Sequence, residues 1–305
     1  MRRLALALTL LTFPAVTMTQ TPQQDALLAR ARALHKQVPL IDGHNDYPWA
    51  LRENAARDLD KLDLTRPQPA IMTDIARLKA GGVGGQFWSV YVAADDPAPV
   101  TSTLEQIDVV HRMMRKYPGA FELALTADDI VRIYKQGRIA SLIGMEGGHS
   151  IDSSLGALRM FHRLGARYMT LTHSKNVPWA DSATDTPVLN GLSPFGEHVV
   201  REMNWLGMLV DLSHVSPDTM EDAIRVSDAP VIFSHSSARA VNDVPRNVPD
   251  RILQLIPKKD GIVMVTFVPA FRRPRSPRGT RSRPRPSPPS RTSPCGCATT
   301  TTSSR

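Results

Sequence analysis

The 305-residue sequence contains only two cysteines, Cys295 and Cys297, and both lie close to its C-terminus. A fold held together by disulfides is therefore excluded. No apolar run after the N-terminal one reaches the length of a membrane span, and no Gly-x-Gly-x-x-Gly follows a predicted strand, which argues against a dinucleotide-binding domain. The hydrophobic content of 42% is enough for one large domain or two modest ones, and it excludes disorder throughout the chain.

Residues 272–305 contain no Asp, Glu or Lys, and no Leu, Ile, Val, Met or aromatic residue. They hold nine of the 37 Lys and Arg residues, which leaves 28 basic against 29 acidic residues in the rest of the chain. The net charge of +8 therefore belongs to this segment, and the body is nearly neutral. We expect a disordered basic tail over 272–305 and no nucleic-acid partner for the protein as a whole.

Residues 1–22 have the pattern of a secretory signal peptide. Arg2 and Arg3 precede a mostly apolar run, Leu4–Phe13, and a polar stretch follows. The run is too short for a typical membrane span. We therefore expect a protein exported to a bacterial periplasm or the cell exterior, with no transmembrane span beyond the signal peptide and with one main domain over residues 23–271.

Short apolar runs alternate with amphipathic helical patterns through this domain. Seven runs are typical of strands: Val38–Ile41, Gln86–Val92, Ile139–Gly144, Arg167–Leu171, Met208–Leu212, Val231–Phe233 and Ile262–Phe267. Patterns such as Leu104–Lys116 and Pro194–Leu206 separate them. The alternation predicts an α/β fold with a parallel sheet covered on both faces, and the number of units favours a (β/α)₈ TIM-type barrel.

Residue types that bind metals follow four of the predicted strands. They are His44 and Asp46 after the first strand, Glu146 after the third, His214 after the fifth and His235 after the sixth. The C-terminal strand ends of a barrel share one rim, which carries the active site. His44 and Asp46 are two residues apart on an extended strand, so both can reach one cation. Glu146 can bridge that cation to a second one, which His214 and His235 could complete.

Two further residues belong to the same predicted rim. His173 follows the fourth strand and could stabilise an oxyanion. Arg246 lies in the loop after the sixth strand, where a guanidinium could hold a substrate carboxylate with two hydrogen bonds.

Taken together, the segments around these residues resemble the renal (membrane) dipeptidase family of zinc peptidases. The segments are Asp42–Asp46, Glu146–His149, Leu171–His173, Asp211–Ser216, Phe233–Ser237 and Arg246–Asp250. The resemblance extends from Val38 to Phe271, and it is specific as a combination although each segment alone is not.

The resemblance implies a (β/α)₈ barrel that hydrolyses dipeptides with two Zn²⁺ ions. His44 and Asp46 would bind one ion, His214 and His235 the other, and Glu146 would bridge them. A metal-bridging hydroxide would attack the scissile carbonyl. His173 and Arg246 would bind substrate, with Arg246 on the C-terminal carboxylate, and Glu146 and His173 would act in catalysis. The family commonly accepts a D-residue at the C-terminal position, and a homodimer is compatible with the resemblance.

After Phe271 the resemblance stops. The family implies an eighth strand that ends in a Gly-x-Asp-Phe/Tyr-Asp-Gly segment, whose first aspartate serves in proton transfer. No Asp or Glu follows Asp260 in this sequence. We therefore expect an incomplete barrel without its eighth βα unit, open edges at strands one and seven, and impaired dipeptidase activity.

Three origins of residues 272–305 stay open: a genuine basic tail, a Pro-rich linker, or a frameshift in the coding DNA. We favour the frameshift, because a one-base shift turns Asp-His codons into Thr-Thr, and Thr299–Thr302 has that character. Two other functions also stay open. One is another binuclear metal hydrolase of the amidohydrolase type, such as a lactonase or deacetylase. The other is a non-catalytic, basic-tailed binding protein.

Overall fold

A computed structural model describes residues 22–272 of the chain, and within them a single sheet of parallel strands carries the site. The strands are β1 Leu40–Asn45, β2 Val83–Ser89, β3 Phe121–Leu123, β4 Ile139–Glu146, β5 Ala166–Thr170, β6 Leu209–Asp211, β7 Val231–Ser236 and β8 Ile262–Val265. The α-helices are α1 Pro22–Gln37, α2 Tyr47–Ala55, α3 Ile75–Ala80, α4 Pro99–Lys116, α5 Ala127–Lys135, α6 Leu155–Arg163, α7 Pro194–Leu206, α8 Pro217–Val226, α9 Asp250–Leu253 and α10 Pro269–Arg272. Two 3₁₀ helices cover Gly148–Ile151 and Ile256–Lys259.

The strands follow the order β1-β2-β4-β5-β6-β7-β8, and β3 pairs with the start of β4. This arrangement is a parallel sheet nearly closed into a barrel with flanking helices, which confirms the predicted α/β barrel class. Within residues 22–272, β1 pairs only with β2 and β8 only with β7, so these two strands are the edges. The predicted basic tail and almost all of the predicted signal peptide lie outside the described residues.

The predicted number of strands was wrong by one. The structure has a strand β3 that the apolar pattern did not reveal, because it contains only Phe121, Glu122 and Leu123. Glu146 therefore ends the fourth strand of the structure rather than the third. The other seven strands correspond to the seven predicted runs, with bounds that differ by a few residues.

Helices begin behind the strands at residues suited to capping. Thr126 and Asp129 form a reciprocal capping box at the start of α5. Ser193 and Ser216 each accept a backbone N–H at the start of α7 and α8, and a proline follows each serine. These caps fix the residue at which each helix begins, and they therefore define the end of the preceding loop, which follows a strand and borders the site.

Both faces of the sheet are buried along its interior strands. All eight residues of β4 are buried. Phe87 and Tyr168 pack with their ring centroids 4.9 Å apart in one cluster, whereas the neighbouring Trp88 and Met169 belong to another. Successive side chains of a strand point to opposite faces, so the two clusters are the two faces of the sheet. Within residues 22–272, no helix is both long and apolar enough to cross a membrane.

Candidate metal centre

Glu146 lies at the centre of the site, at the carboxyl end of the buried strand β4, and is only 4% exposed. Its Oε1 lies 3.0 Å from His214 Nε2 and 3.3 Å from His235 Nε2. Its Oε2 lies 3.3 Å from His44 Nε2. One carboxylate therefore faces different histidines with its two oxygens.

The donor atoms around Glu146 form two pairs. On the Oε1 side, the Nε2 atoms of His214 and His235 are 2.9 Å apart. On the Oε2 side, His44 Nε2 lies 3.0 Å from Asp46 Oδ1. Two further groupings are also compact, with donor atoms within 4.8 Å: His44 with Glu146 and His235, and His173 with Glu146 and His214. His214 and His235 thus lie on the Oε1 side of Glu146, whereas His44, which contacts Asp46, lies on the Oε2 side.

The backbone explains why His44 can reach the other histidines. Gly43 precedes it, and a Cβ at that position would lie 2.3 Å from the Ser234 carbonyl oxygen and 2.5 Å from Met264 Sδ. Only glycine lets β1 pass this close to β7. Asp46 follows β1 and precedes α2, and its carboxylate caps no backbone N–H of that helix, so its oxygens are not committed to the helix start.

His214 has a positive φ of 71°, a left-handed conformation that side chains other than glycine seldom adopt. Its carbonyl oxygen accepts the N–H of Ala183 at 2.7 Å. Backbone strain of this kind tends to be found at functional sites. Here it turns the imidazole towards Glu146.

His173 and Arg246 border the same centre. His173 Nε2 lies 3.7 Å from Glu146 Oε1, and its Nδ1 is buried without a hydrogen-bond partner. Arg246 is 6% exposed and donates from Nη2 to the His235 carbonyl oxygen at 3.3 Å, whereas its Nη1 is buried without a partner. The structure thus places all seven predicted site residues in one region, and their individual roles stay a prediction.

Burial and the charge of Glu146 set the protonation of the centre. Burial alone would raise the pKa of Glu146, but the charge of His44 and the hydrogen bond from His214 hold it well below its usual value. Burial alone would lower the pKa of His44, but Glu146 and other neighbours raise it well above its usual value. Burial lowers the pKa of both His214 and His235 to about 3. At neutral pH the metal-free centre therefore holds an ionised Glu146, a protonated His44 and two neutral histidines.

The donor set fits divalent metal ions. Imidazole nitrogen and carboxylate oxygen bind Zn²⁺ at about 2.0–2.2 Å, so two ligands of one tetrahedral ion lie roughly 3.3 Å apart. The paired donor atoms described above are 2.9 Å and 3.0 Å apart. Neutral His214 and His235 also have a free nitrogen lone pair for a metal, which a protonated imidazole lacks.

Two residues that contact predicted ligands, and one that lies behind them, were not predicted from the sequence. The Tyr168 hydroxyl lies 3.1 Å from His44 Nδ1, and the Ser234 hydroxyl lies 2.8 Å from His235 Nδ1. The buried Asp211 accepts the Ser234 hydroxyl at 2.6 Å. Only Asp211 carried a signal, as an acidic residue at the end of an apolar strand. The hydroxyl groups of Tyr168 and Ser234 gave none.

A sequence model of the membrane dipeptidase family (peptidase family M19) matches residues 28–292. Dipeptidase 3 of Mus musculus is 48% identical over 251 residues, which cover 79% of this chain and 49% of that protein. Dipeptidase verJ of Clonostachys rogersoniana is 42% identical over 257 residues, which cover 80% of this chain and 66% of that protein. The chain thus spans about half to two thirds of the length of these relatives.

A solved structure gives the same result for the fold. A metallo peptidase from Rhodobacter sphaeroides, liganded with a phosphinate mimic of the dipeptide L-Ala-D-Ala, superposes with a TM-score of 0.67 at 28% identity. The superposition covers 77% of this chain and 76% of that one. The family match, the identity to the curated relatives and the shared fold all agree. The chain therefore belongs to the membrane dipeptidase family of metallopeptidases.

Proposed function

We propose that the site is that of a zinc-dependent dipeptidase, which hydrolyses the peptide bond of dipeptides. The observation that carries this proposal is the placement of donors about Glu146: His214 and His235 face Oε1, and His44, which contacts Asp46, faces Oε2. His44 and Asp46 would hold one Zn²⁺, His214 and His235 the other, and Glu146 would bridge them. When bound, two zinc ions supply Lewis acidity at the scissile carbonyl and lower the pKa of a water nucleophile.

Arg246 binds the C-terminal carboxylate of the dipeptide in this proposal. Burial lowers the pKa of Arg246 to about 10, so the guanidinium is still charged at neutral pH. Its Nη1 is a buried donor with no partner, which is costly unless an acceptor arrives. A substrate carboxylate would supply that acceptor with a charge-assisted hydrogen bond.

His173 stabilises the oxyanion that develops on the scissile carbonyl. Burial lowers the pKa of His173, so the ring is neutral at neutral pH and carries one N–H. The ring lies between Tyr91 and His214, with centroid distances of 4.6 Å and 4.3 Å, and this packing fixes its plane. A donor held in place beforehand needs no reorganisation as charge develops.

Dipeptides are the proposed substrate class, with a D-residue accepted at the C-terminal position. Support comes from the relative that binds a phosphinate mimic of L-Ala-D-Ala. The proposed location is outside the cytoplasm, on the evidence of the N-terminal pattern. A lactonase or deacetylase is less well supported, because the first strand presents His44 and Asp46 rather than two histidines.

Turnover by the chain with this sequence over residues 272–305 is proposed to be low, since no acidic residue follows Asp260 in it to serve in proton transfer. Sequencing the coding DNA from about codon 260 onward, in all three frames, tests the frameshift proposal. A frame that encodes Gly-x-Asp-x-Asp-Gly supports it. Three frames without that segment would leave residues 272–305 as genuine sequence.

The test of function separates binding from turnover. The purified chain is loaded with Zn²⁺, its metal content is measured by mass spectrometry, and a phosphinate mimic of L-Ala-D-Ala is titrated by calorimetry. We expect two zinc ions per chain and binding of the mimic that Arg246→Ala weakens at least about tenfold, with Arg132→Ala on the surface as control. Fewer than two zinc ions per chain would overturn the proposal. So would an affinity for the mimic that is unchanged in Arg246→Ala. Hydrolysis of a lactone but of no dipeptide would favour the alternative.

A further inference from the structure

Asp211 is a fully buried carboxylate that the proposed reaction does not use. Its Oδ1 accepts the backbone N–H groups of Ser213 at 3.1 Å and Ser234 at 2.8 Å. Its Oδ2 accepts the hydroxyls of Thr170 at 2.5 Å and Ser234 at 2.6 Å. All four donors are uncharged and come from three neighbouring strands or the residues that follow them. Four hydrogen bonds therefore fix the position of the Asp211 carboxylate, which lies behind the metal centre.

The Ser234 hydroxyl has a single proton and two close neighbours, Asp211 Oδ2 and His235 Nδ1. A carboxylate can only accept a hydrogen bond, whereas a neutral imidazole nitrogen can either donate or accept. The serine proton therefore goes to Asp211, and its oxygen accepts the proton of His235 Nδ1. This assignment leaves the lone pair of His235 Nε2 to accept from His214 Nε2, which lies 2.9 Å away and is itself 3.0 Å from Glu146 Oε1.

Tyr168 has the same arrangement with His44. The Tyr168 hydroxyl contacts the Gly43 carbonyl oxygen at 3.2 Å and His44 Nδ1 at 3.1 Å. The carbonyl can only accept, so the phenol donates to it and accepts from His44 Nδ1. The other ring nitrogen, Nε2, faces the carboxylates of Asp46 and Glu146, where a metal ion would replace its proton.

We propose that Ser234 and Tyr168 are positioning residues that hold His235 and His44 with Nδ1 protonated and Nε2 turned to the metal, and that Asp211 sets the direction of the Ser234 hydroxyl. This inference rests on the proposed function, because orienting these histidines matters only if they bind a metal ion. Its physical content is the ring orientation of both histidines and the tautomer of the neutral His235, and both are properties of the metal-free protein. Groups behind metal-bound histidines commonly orient the ring and select the nitrogen that binds.

The test is a long-range ¹H–¹⁵N NMR spectrum of the metal-free protein with ¹⁵N-labelled histidine, in which the two ring nitrogens report the tautomer. His235 is assigned by the loss of its signals in His235→Gln. We expect the Nδ1–H tautomer in the wild type and a shift towards Nε2–H in Ser234→Ala. Ser234→Thr retains the hydroxyl and should restore the wild-type spectrum. Ser236→Ala removes a buried hydroxyl on the same strand that does not contact His235 Nδ1, and it is the matched control.

Zinc affinity, measured by competition with a chelator, is the second readout. We expect Ser234→Ala to weaken it by roughly 10–100-fold and Ser236→Ala to leave it nearly unchanged. A wild-type spectrum with His235 in the Nε2–H form would overturn the inference without any variant. Equal spectra and equal affinities in Ser234→Ala and the wild type would do the same. Absence of zinc binding together with an Nδ1–H His235 would contradict the proposed function and leave the tautomer assignment intact.

Discussion

His214 and His235 lie on or just after interior strands of the sheet, whereas His44 and Asp46 lie at the end of β1, an edge among the described residues. β6 and β7 each pair with a strand on both sides. The side chains of His214 and His235 are 12% and 13% exposed; at the edge, His44 is 9% exposed but Asp46 is 60% exposed. The two halves of one metal centre are therefore built on unequal supports.

The difference indicates that affinity for metal is not shared equally. The interior half is positioned by neighbouring strands, by the Asp211 network and by the loop whose Ala183 N–H donates to the His214 carbonyl oxygen. The position of the edge half, His44 and Asp46, depends on the close approach of β1 to β7 at Gly43. Ligands held in place before the ion arrives lose less conformational freedom on binding. We therefore expect the ion held by His214 and His235 to be the tighter of the two.

The largest effect should come from Glu146, the one residue common to both halves. Glu146→Gln keeps the shape but removes the charge that faces three histidines, so both ions should be lost. We expect zinc affinity to fall by more than the roughly 10–100-fold that a residue behind the ligands costs. Chelator competition measures it, and Glu122→Gln on β3, a half-buried carboxylate paired with Arg132 and Arg138, is the control. Retention of either ion at wild-type affinity would show that the halves do not share the carboxylate.

The next effect separates the halves. His235→Ala should remove the tighter ion, and Asp46→Ala should remove the weaker one, leaving about one zinc per chain in each case. Titration of zinc into both variants, followed by chelator competition, measures which affinity remains. We expect the ion retained by Asp46→Ala to bind more tightly than the ion retained by His235→Ala. The reverse order would contradict the argument from strand position.

A smaller effect should appear with pH. The pKa of His44 is raised above its usual value, so a metal must displace a proton there, while His214 and His235, with pKa values of about 3, are already neutral. Below the pKa of His44, affinity at the edge half should therefore fall about tenfold per pH unit, and affinity at the interior half should stay nearly constant from pH 8 to 6. Calorimetry in two buffers of different ionisation enthalpy counts the proton released. Release of no proton at pH 7 would be inconsistent with this view.

The smallest effect concerns the edge strands rather than the site. Ile262 and Val265 on β8 are 54% and 61% exposed, and an exposed apolar edge favours association between chains. Ile262→Lys and Val265→Lys should reduce light scattering at high protein concentration and change the free energy of unfolding by less than about 0.5 kcal/mol. Val131→Lys on α5 is the matched control, since Val131 is 43% exposed but lies on a helix. Equal reduction by all three would mean that the edge has no special part in association.

Much of the site could be predicted because chain order alone places strand-end residues on one rim. His44, Glu146, His214 and His235 each follow or end an apolar run, and parallel topology brings such positions together. The strand β3 could not be predicted, because three residues are too few for a pattern. Tyr168 and Ser234 could not be predicted either. Their roles depend on register between strands distant in sequence, and hydroxyl residues are common at positions without such a role.

The left-handed backbone of His214 has a consequence for how this sequence can change over time. Glycine or asparagine at position 214 would relieve strain of about 1–2 kcal/mol, so selection for stability alone favours their appearance. Only selection for chemistry at the imidazole opposes that drift. We therefore expect a homologue that is no longer under selection for metal chemistry to gain stability by replacing the histidine at position 214. Among relatives of this chain, the residue found there distinguishes copies under selection for metal chemistry from copies under selection for folding alone.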